Sequence, residues 1–269
     1  MRLLIALVLA LSLPFSALAD KKGDLEQQTG SGPSTPTPGG TSHVPRVDPT
    51  TRFIESNTIE TLYHELAHAL IDILDLPVFG PEEFAADLFS VILMDRLHDE
   101  DTSMRLAYDV AAAYEADADM DESLGHRPAM WDVHGSNQQR YFNLVCLFYG
   151  AKPNQRDEMA EDLGLPEERA ETCAEEFDQA NRSWGDVLDG LTANAPGTSI
   201  KMDWILDHES HLTVFVKGEV DRLNNLYALP QEMTVSVIPC GEVNAFYDPD
   251  SREIIICTEL ADHLAKLAP

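Results

Sequence analysis

The chain has 269 residues, and its 47 Asp and Glu against 18 Lys and Arg give a formal net charge of −29. Proteins that bind nucleic acid or anionic membrane surfaces need basic patches, so this balance argues against both classes. It is compatible with a soluble protein that acts on basic or neutral substrates.

Residues 1–19 have the pattern of a secretory signal peptide. Arg2 opens it, an apolar run follows from Leu3 to Leu13, and Ala17-Leu18-Ala19 is a small-residue cleavage site. The run is too short to span a membrane, and no cysteine follows the cleavage site to carry a lipid anchor. We therefore expect an exported protein, periplasmic or secreted, without a membrane span after signal removal.

The next stretch, residues 20–50, is rich in Pro, Gly, Ser and Thr and has almost no apolar content. Such a composition cannot form a packed core, so it predicts a disordered linker. Residues 51–269 have the length and apolar content of one globular domain.

The sequence from His64 to His68 contains the motif H-E-x-x-H. On a helix, residues four apart lie on one face, so His64 and His68 can direct their imidazoles at one zinc ion. Glu65 stands beside them, where it can take a proton from a water bound to the zinc. Two histidines and a glutamate on a largely buried helix need such a reason, because unpaired buried polar groups are costly.

Apolar periodicity predicts that the motif is helical. The residues that recur at helical spacing are Ile59, Leu62, Leu66, Leu70 and Ile73. Asn57 and Glu60 have the spacing of a capping box and predict a helix start at Asn57. Pro77 excludes helical geometry at the residue before it and predicts the end.

Residues 81–98 predict a second helix that returns along the first after a short loop. Glu82, Glu83 and Asp87 are all candidates for the third zinc ligand. At 1.5 Å per helical residue, Asp87 should be roughly level with His68, whereas Glu83 is barely one turn into the return helix.

The segment Glu83-Phe84-Ala85-Ala86-Asp87-Leu88-Phe89 resembles the E-x-x-x-D pattern of gluzincins and the E-x-x-A-(N/D)-x-F segment of some bacterial regulatory metallopeptidases. The resemblance implies that Glu83 binds zinc and that Asp87 holds a zinc-binding histidine, although Asp87 remains an alternative ligand. The gap from His68 to Glu83 is short for a gluzincin.

Residues 103–118 predict a helix, and we interpret the acidic stretch 117–121 at its end as a solvated loop. A polar and aromatic segment that contains His134 follows. His134, oriented by Asp132, could stabilise the oxyanion of a peptide-hydrolysis intermediate. A structural hydrogen bond at a helix start is the alternative for this histidine. Four other histidines lack a partner pattern and predict surface or packing roles: His126, His208, His211 and His263.

Four cysteines in an exported chain predict two disulfides. Cys146 and Cys173 lie in neighbouring helical stretches, and Cys240 and Cys257 flank a hairpin-like segment, so we favour these local pairs among three connectivities. No C-x-x-C motif is present, which argues against a second zinc site of that type.

The C-terminal half predicts helices at 166–190 and 203–227, then strands at 233–238 and 253–257 separated by a turn. The expected fold class is therefore α+β, a predominantly helical zincin-like domain with a small antiparallel sheet or hairpin.

Most of residues 55–263 resembles a bacterial exported family of zinc metallopeptidases. The matching pieces are His64 to Asp72, Leu76-Pro77-Val78, Gly80 to Glu83 with Ala86-Asp87, Gln139 to Asn143, Cys240-Gly241-Glu242, Asn244 to Pro249, and Cys257. In that family the Asn-Ala-Phe-Tyr-Asp-Pro hairpin precedes the zinc helix, whereas here it follows. This order predicts a circular permutation, with residues 261–269 ending near the start of the zinc helix.

The motif and the resemblance together imply a zinc metallopeptidase whose substrate is a peptide or protein. Glu65 would act as general base for the attacking water. Two other classes remain open: an exported zinc-bearing binding protein without turnover, and a structural module with a chance motif.

Overall fold

The computed structural model describes residues 47–127, 129 and 131–269. The predicted signal peptide and most of the predicted linker lie outside these residues. The helices of the described part are α1 (Pro49–Leu74), α2 (Glu82–Leu97), α3 (Glu100–Ser123), α4 (Asn137–Ala151), α5 (Asp157–Asp162), α6 (Glu167–Leu191), α7 (His211–Leu226) and α8 (Thr258–Leu267). The strands are β1 (Ile200–Ile205), β2 (Met233–Ile238), β3 (Ala245–Asp248) and β4 (Glu253–Cys257). None of the described helices is long and apolar enough to cross a membrane.

The helix that carries the H-E-x-x-H motif, α1, begins at Pro49, eight residues before the predicted start at Asn57. Asp48 is its N-cap and accepts a hydrogen bond from the Thr51 N–H. The prediction of a start at Asn57 was wrong because the amide of Asn57 is buried and donates to the carbonyl oxygens of Phe53 and Asp109. The helix ends at Leu74, and Asp75 adopts a left-handed conformation with φ 50°.

A helical layer forms around α1, which packs against α2, α3, α7 and α8. The buried residues of α1 include Leu62, Leu66 and Leu70, as the predicted apolar stripe required. Helices α4 and α6 pack closely where buried Gly150 meets buried Cys173. A Cβ atom at Gly150 would come within 2.1 Å of the Cys173 carbonyl oxygen, so only glycine allows this close approach.

The cysteines pair as predicted. Cys146 and Cys173 are disulfide-bonded with their Cα atoms 5.1 Å apart, and Cys240 and Cys257 with theirs 5.3 Å apart. Both separations are ordinary for disulfides. The first bond joins α4 to α6, and the second ties the chain before β3 to the end of β4.

The fold is α+β and predominantly helical, as predicted, but its small sheet is mixed. The four strands have the order β1-β2-β4-β3, in which β2 pairs in parallel with both β1 and β4. Only β3 and β4 are antiparallel. The expected hairpin is present as β3 and β4, but antiparallel pairing of 233–238 with 253–257 was wrong: the residues between them form β3, which reverses the chain and leaves β4 parallel to β2.

Two other local predictions were wrong. Residues 203–227 divide between the end of β1 and α7, because Asp207 to Ser210 form a turn that ends the strand and caps the helix. The acidic stretch 117–121 is part of α3 and not a loop. Asp117 Oδ1 of this helix lies 2.8 Å from His263 Nε2 of α8.

The C-terminal helix α8 lies against the start of α1. Leu264 packs with Phe53 and Ala113 in a small cluster that Leu267 and Ala268 extend. The predicted proximity of the C-terminus to the zinc helix is thus present. The permutation itself stays a prediction, because proximity of the ends does not establish the order of segments in relatives.

Candidate metal centre

The two motif histidines face each other on α1. His64 and His68 are separated by one helical turn, and their Nε2 atoms are 3.2 Å apart. His64 is buried and His68 is partly buried. Leu62 and Leu66 bury the opposite side of the helix, so packing fixes the direction in which the imidazoles point.

Glu83, in the first turn of α2, completes a triangle with these nitrogens. Its Oε2 atom lies 3.1 Å from His64 Nε2 and 3.3 Å from His68 Nε2. Tetrahedral zinc with bonds of about 2.0–2.1 Å holds its ligand atoms roughly 3.3–3.4 Å apart. The donor set and the spacing both fit zinc, and the three side chains are one of the two groups of described residues able to hold a metal.

Chain reversal explains how Glu83 reaches the histidines despite the length argument against it. The Leu76 N–H donates to the Ile71 carbonyl, so the chain turns back directly at the end of α1. Glu82 then lies level with His68, its Oε1 atom 2.8 Å from His68 Nδ1. The length argument, which placed Asp87 rather than Glu83 roughly level with His68, was therefore wrong.

Each histidine has a carboxylate behind it. Asp87 Oδ1 is 2.9 Å from His64 Nδ1, at an angle outside that of a standard hydrogen bond. Glu82 takes the same position behind His68. A carboxylate at Nδ1 fixes the tautomer and leaves Nε2 free for a metal. All three acidic candidates are thus in the site, with Glu83 between the histidines and the other two behind them.

The electrostatics of the site favour a positive charge between these groups. Burial alone would lower the pKa of His64, but Asp87 and Glu83 outweigh it and raise that pKa to about 10. The pKa of His68 is raised by Glu83 and Glu82 against the same opposing effect of burial. Burial would raise the pKa of Glu83, yet the surrounding imidazoles hold it far below its usual range.

Glu65 is buried on α1, next to His64 in the chain. Burial raises its pKa to about 6, partly offset by His64 and His68. Glu65 and His64 line a cleft of about 250 Å³, whose walls come from α1, α3, α4, α8 and the chain before β3. On one side of this cleft, Asn244 and Ala245 lie where the chain enters β3, one of the two edge strands of the described sheet.

His134 also reaches the centre, from the loop between α3 and α4. Its Nε2 atom lies 3.0 Å from Glu83 Oε2, and its Nδ1 atom lies 3.2 Å from Asp132 Oδ1. Asp132 additionally accepts the backbone N–H of His134, which fixes the loop locally. The predicted pairing with Asp132 is present, and the contact with Glu83 was not foreseen.

Two groups at the site were missed by reasoning from the sequence. His263 was assigned a surface or packing role, but with Asp117 it lines the cleft. Arg140 makes a double contact with Asp87, at 3.0 Å from Nε to Oδ2 and 2.6 Å from Nη2 to Oδ1. In the sequence, Arg140 was singled out only by the resemblance over Gln139 to Asn143, which did not indicate what the arginine does.

In a comparison with family models, the chain matches the family described as "Putative metallopeptidase" (DUF4344) over residues 41–188 and 205–268. These two stretches cover well over half of the chain and include every residue of the centre described above. No curated protein and no solved structure matches the chain.

Proposed function

We propose that this chain, which belongs to the family described as "Putative metallopeptidase", hydrolyses peptide bonds with zinc held by His64, His68 and Glu83. The observation that carries the proposal is the convergence of three ligand atoms within 3.3 Å of one another, with Glu65 at their side. Two imidazoles and one carboxylate leave a fourth position for water, as in catalytic zinc sites.

The side chains around the metal divide the chemistry between them. Zinc, when bound, supplies an activated water and polarises the scissile carbonyl. Glu65 takes a proton from the attacking water and returns it to the leaving amine. Asp87 and Glu82 hold the two imidazoles so that each Nε2 faces the metal.

His134 is assigned to the oxyanion that develops on the substrate carbonyl. Its ring is oriented by Asp132 and lies at the rim of the triangle, next to Glu83. Removal of one such donor typically lowers kcat by about 10²–10³-fold. His134→Gln should show this loss while the zinc content stays at the level of the unmodified chain.

The cleft suggests how a peptide binds. Strand β3 is an edge strand of the described sheet and pairs with β4 on one side, so an extended substrate could pair with its other edge. Asn244 stands where the strand enters the cleft, and Asn244→Ala should raise KM. Unchanged KM and kcat would count against edge pairing.

Charge in the cleft favours a basic residue in the substrate. Glu60, Glu65 and Asp117 line it, and Arg140 is neutralised by Asp87. Asp117→Asn should weaken kcat/KM for peptides with Lys near the scissile bond more than for neutral peptides. Asp119→Asn is the matched control, because Asp119 is on the same helix but exposed outside the cleft.

The protein is proposed to act outside the cytoplasm, with residues 1–19 as signal peptide, 20–50 as linker and 51–269 as the catalytic domain. The two disulfides support an oxidising compartment. Helix α1 begins at Pro49, two residues before the predicted domain boundary.

Glu65→Gln tests the function directly. Hydrolysis of a quenched fluorescent peptide library should fall by about 10²–10⁴-fold while bound zinc is retained. Glu55→Gln is the control, because Glu55 lies on the same helix and contacts His211 outside the cleft. A zinc-loaded chain that hydrolyses no peptide, or one whose activity survives Glu65→Gln, would contradict the proposal.

A further inference from the structure

Behind the metal centre lies a partly buried charged group that the proposed chemistry does not use. Arg140, from α4, reaches between α1 and α2, and its guanidinium stacks on the Tyr114 ring with a centroid distance of 4.7 Å. The Tyr114 hydroxyl donates to Glu60 Oε1 at 3.0 Å. Glu60 also lies 4.0 Å from Arg140, so the guanidinium serves two acids.

The position of Asp87 depends on this arginine. Asp87 Oδ1 is shared between Arg140 Nη2 and His64 Nδ1, at 2.6 and 2.9 Å. The planar guanidinium contacts both carboxylate oxygens and thus fixes the plane of the carboxylate as well as its place. A cavity of about 180 Å³ adjoins the pair, so packing alone does not confine Asp87.

The same acids form the second group able to hold a metal. Glu60, His64 and Asp87 present ligand atoms within 4.8 Å of one another. Binding there would use the Nδ1 side of His64 and would compete with the proposed centre for this residue. The positive charge of Arg140 already lies among these acids, which disfavours a second cation.

We propose that Arg140 is a positioning residue for the metal centre: it holds Asp87 behind His64, so that Nε2 and not Nδ1 of His64 faces the metal. The proposal rests on the proposed function, since it assumes that His64 is a metal ligand. Arg140 contacts no ligand atom itself and acts through Asp87.

The test measures zinc affinity by competition with a chelator, and the visible spectrum of the cobalt-substituted protein as a reporter of coordination. Arg140→Lys keeps the charge but loses the double contact. It should weaken zinc binding by about 10–100-fold, as for other groups that orient a ligand, and change the cobalt spectrum. In an Asp87→Asn background, Arg140→Lys should cost no more than about twofold further, since the partner through which it acts is gone.

Arg169→Lys is a matched control. Arg169 lines the same cavity and makes its own double contact with Glu176, both distances being 2.7 Å, away from the metal centre. It should lower the melting temperature and leave zinc affinity unchanged. If Arg140→Lys does the same, Arg140 has only a structural role and the inference is overturned.

A variant that replaces both members of this partly buried pair keeps the inference testable if Arg140→Lys does not fold. Asp87→Asn with Arg140→Gln leaves no unpaired charge between these positions and should still bind zinc about 10–100-fold more weakly. Unchanged affinity in this folded variant refutes the inference alone. Absence of zinc binding by the unmodified chain refutes the proposed function as well.

Discussion

The choice of third ligand gives the sharpest prediction, because three acids compete for the role. Structural zinc sites bind with about 10–16 kcal/mol, or roughly 2.5–4 kcal/mol for each of four ligands. Loss of Glu83 as a ligand should therefore weaken zinc binding by about 10²–10³-fold. Asp87 is proposed to orient His64 without binding the metal, so its replacement should weaken zinc binding by about 10–100-fold.

The assay compares Glu83→Gln, Asp87→Asn and Glu82→Gln by chelator competition near neutral pH. These substitutions keep side-chain size and remove one negative charge each, so the net charge effect is matched. Glu82 is about half exposed, at 47 %, and should show the smallest loss. If Asp87→Asn costs more than Glu83→Gln, the assignment of Glu83 as ligand is refuted and Asp87 takes its place.

Three further predictions concern stability. Replacing Cys146 and Cys173, which are 27 residues apart, by alanine should cost about 3.5 kcal/mol, and calorimetry should show a melting temperature roughly 7–14 °C lower; an unchanged melting temperature would contradict this. Tyr247→Phe removes a 3.0 Å hydrogen bond to Asp72 and should lower the free energy of unfolding in urea by about 1 kcal/mol. An unchanged free energy of unfolding would show that water satisfies this hydroxyl equally well. Burial lowers the pKa of His98 to about 4 from its ordinary 6.5. As the pH falls between these values, His98 is therefore protonated in the unfolded chain but stays neutral in the folded chain. The metal-free protein should lose stability between these two pH values, less steeply in His98→Gln; identical slopes would refute this role of His98.

Local sequence patterns were sufficient for the metal motif but not for the start of its helix. The spacing of His64 and His68 depends on helical periodicity alone, and the structure keeps it. Asp48 and Asn57 are both good N-cap residues, so local preference cannot choose between them. The carbonyl of Asp109, 52 residues away, decides the matter because it satisfies the buried amide of Asn57 within the helix.

Nonlocal pairing limited the prediction of the sheet and of the groups behind the metal. The strand-forming character of β2 and β4 was visible in Val235, Ile254 and their neighbours, but strand direction depends on where β3 folds. Arg140 and Asp87 are 53 residues apart, and neither has a sequence pattern that names the other. Such contacts are determined by helix packing, which a single sequence does not reveal.

The central claim is that His64, His68 and Glu83 hold a catalytic zinc ion, and metal analysis of the purified mature chain tests it most directly. The account predicts about one zinc per chain, lost in His64→Ala. A chain that takes up no zinc when zinc is offered, or a His64→Ala variant that binds it as tightly as the unmodified protein, would contradict the account.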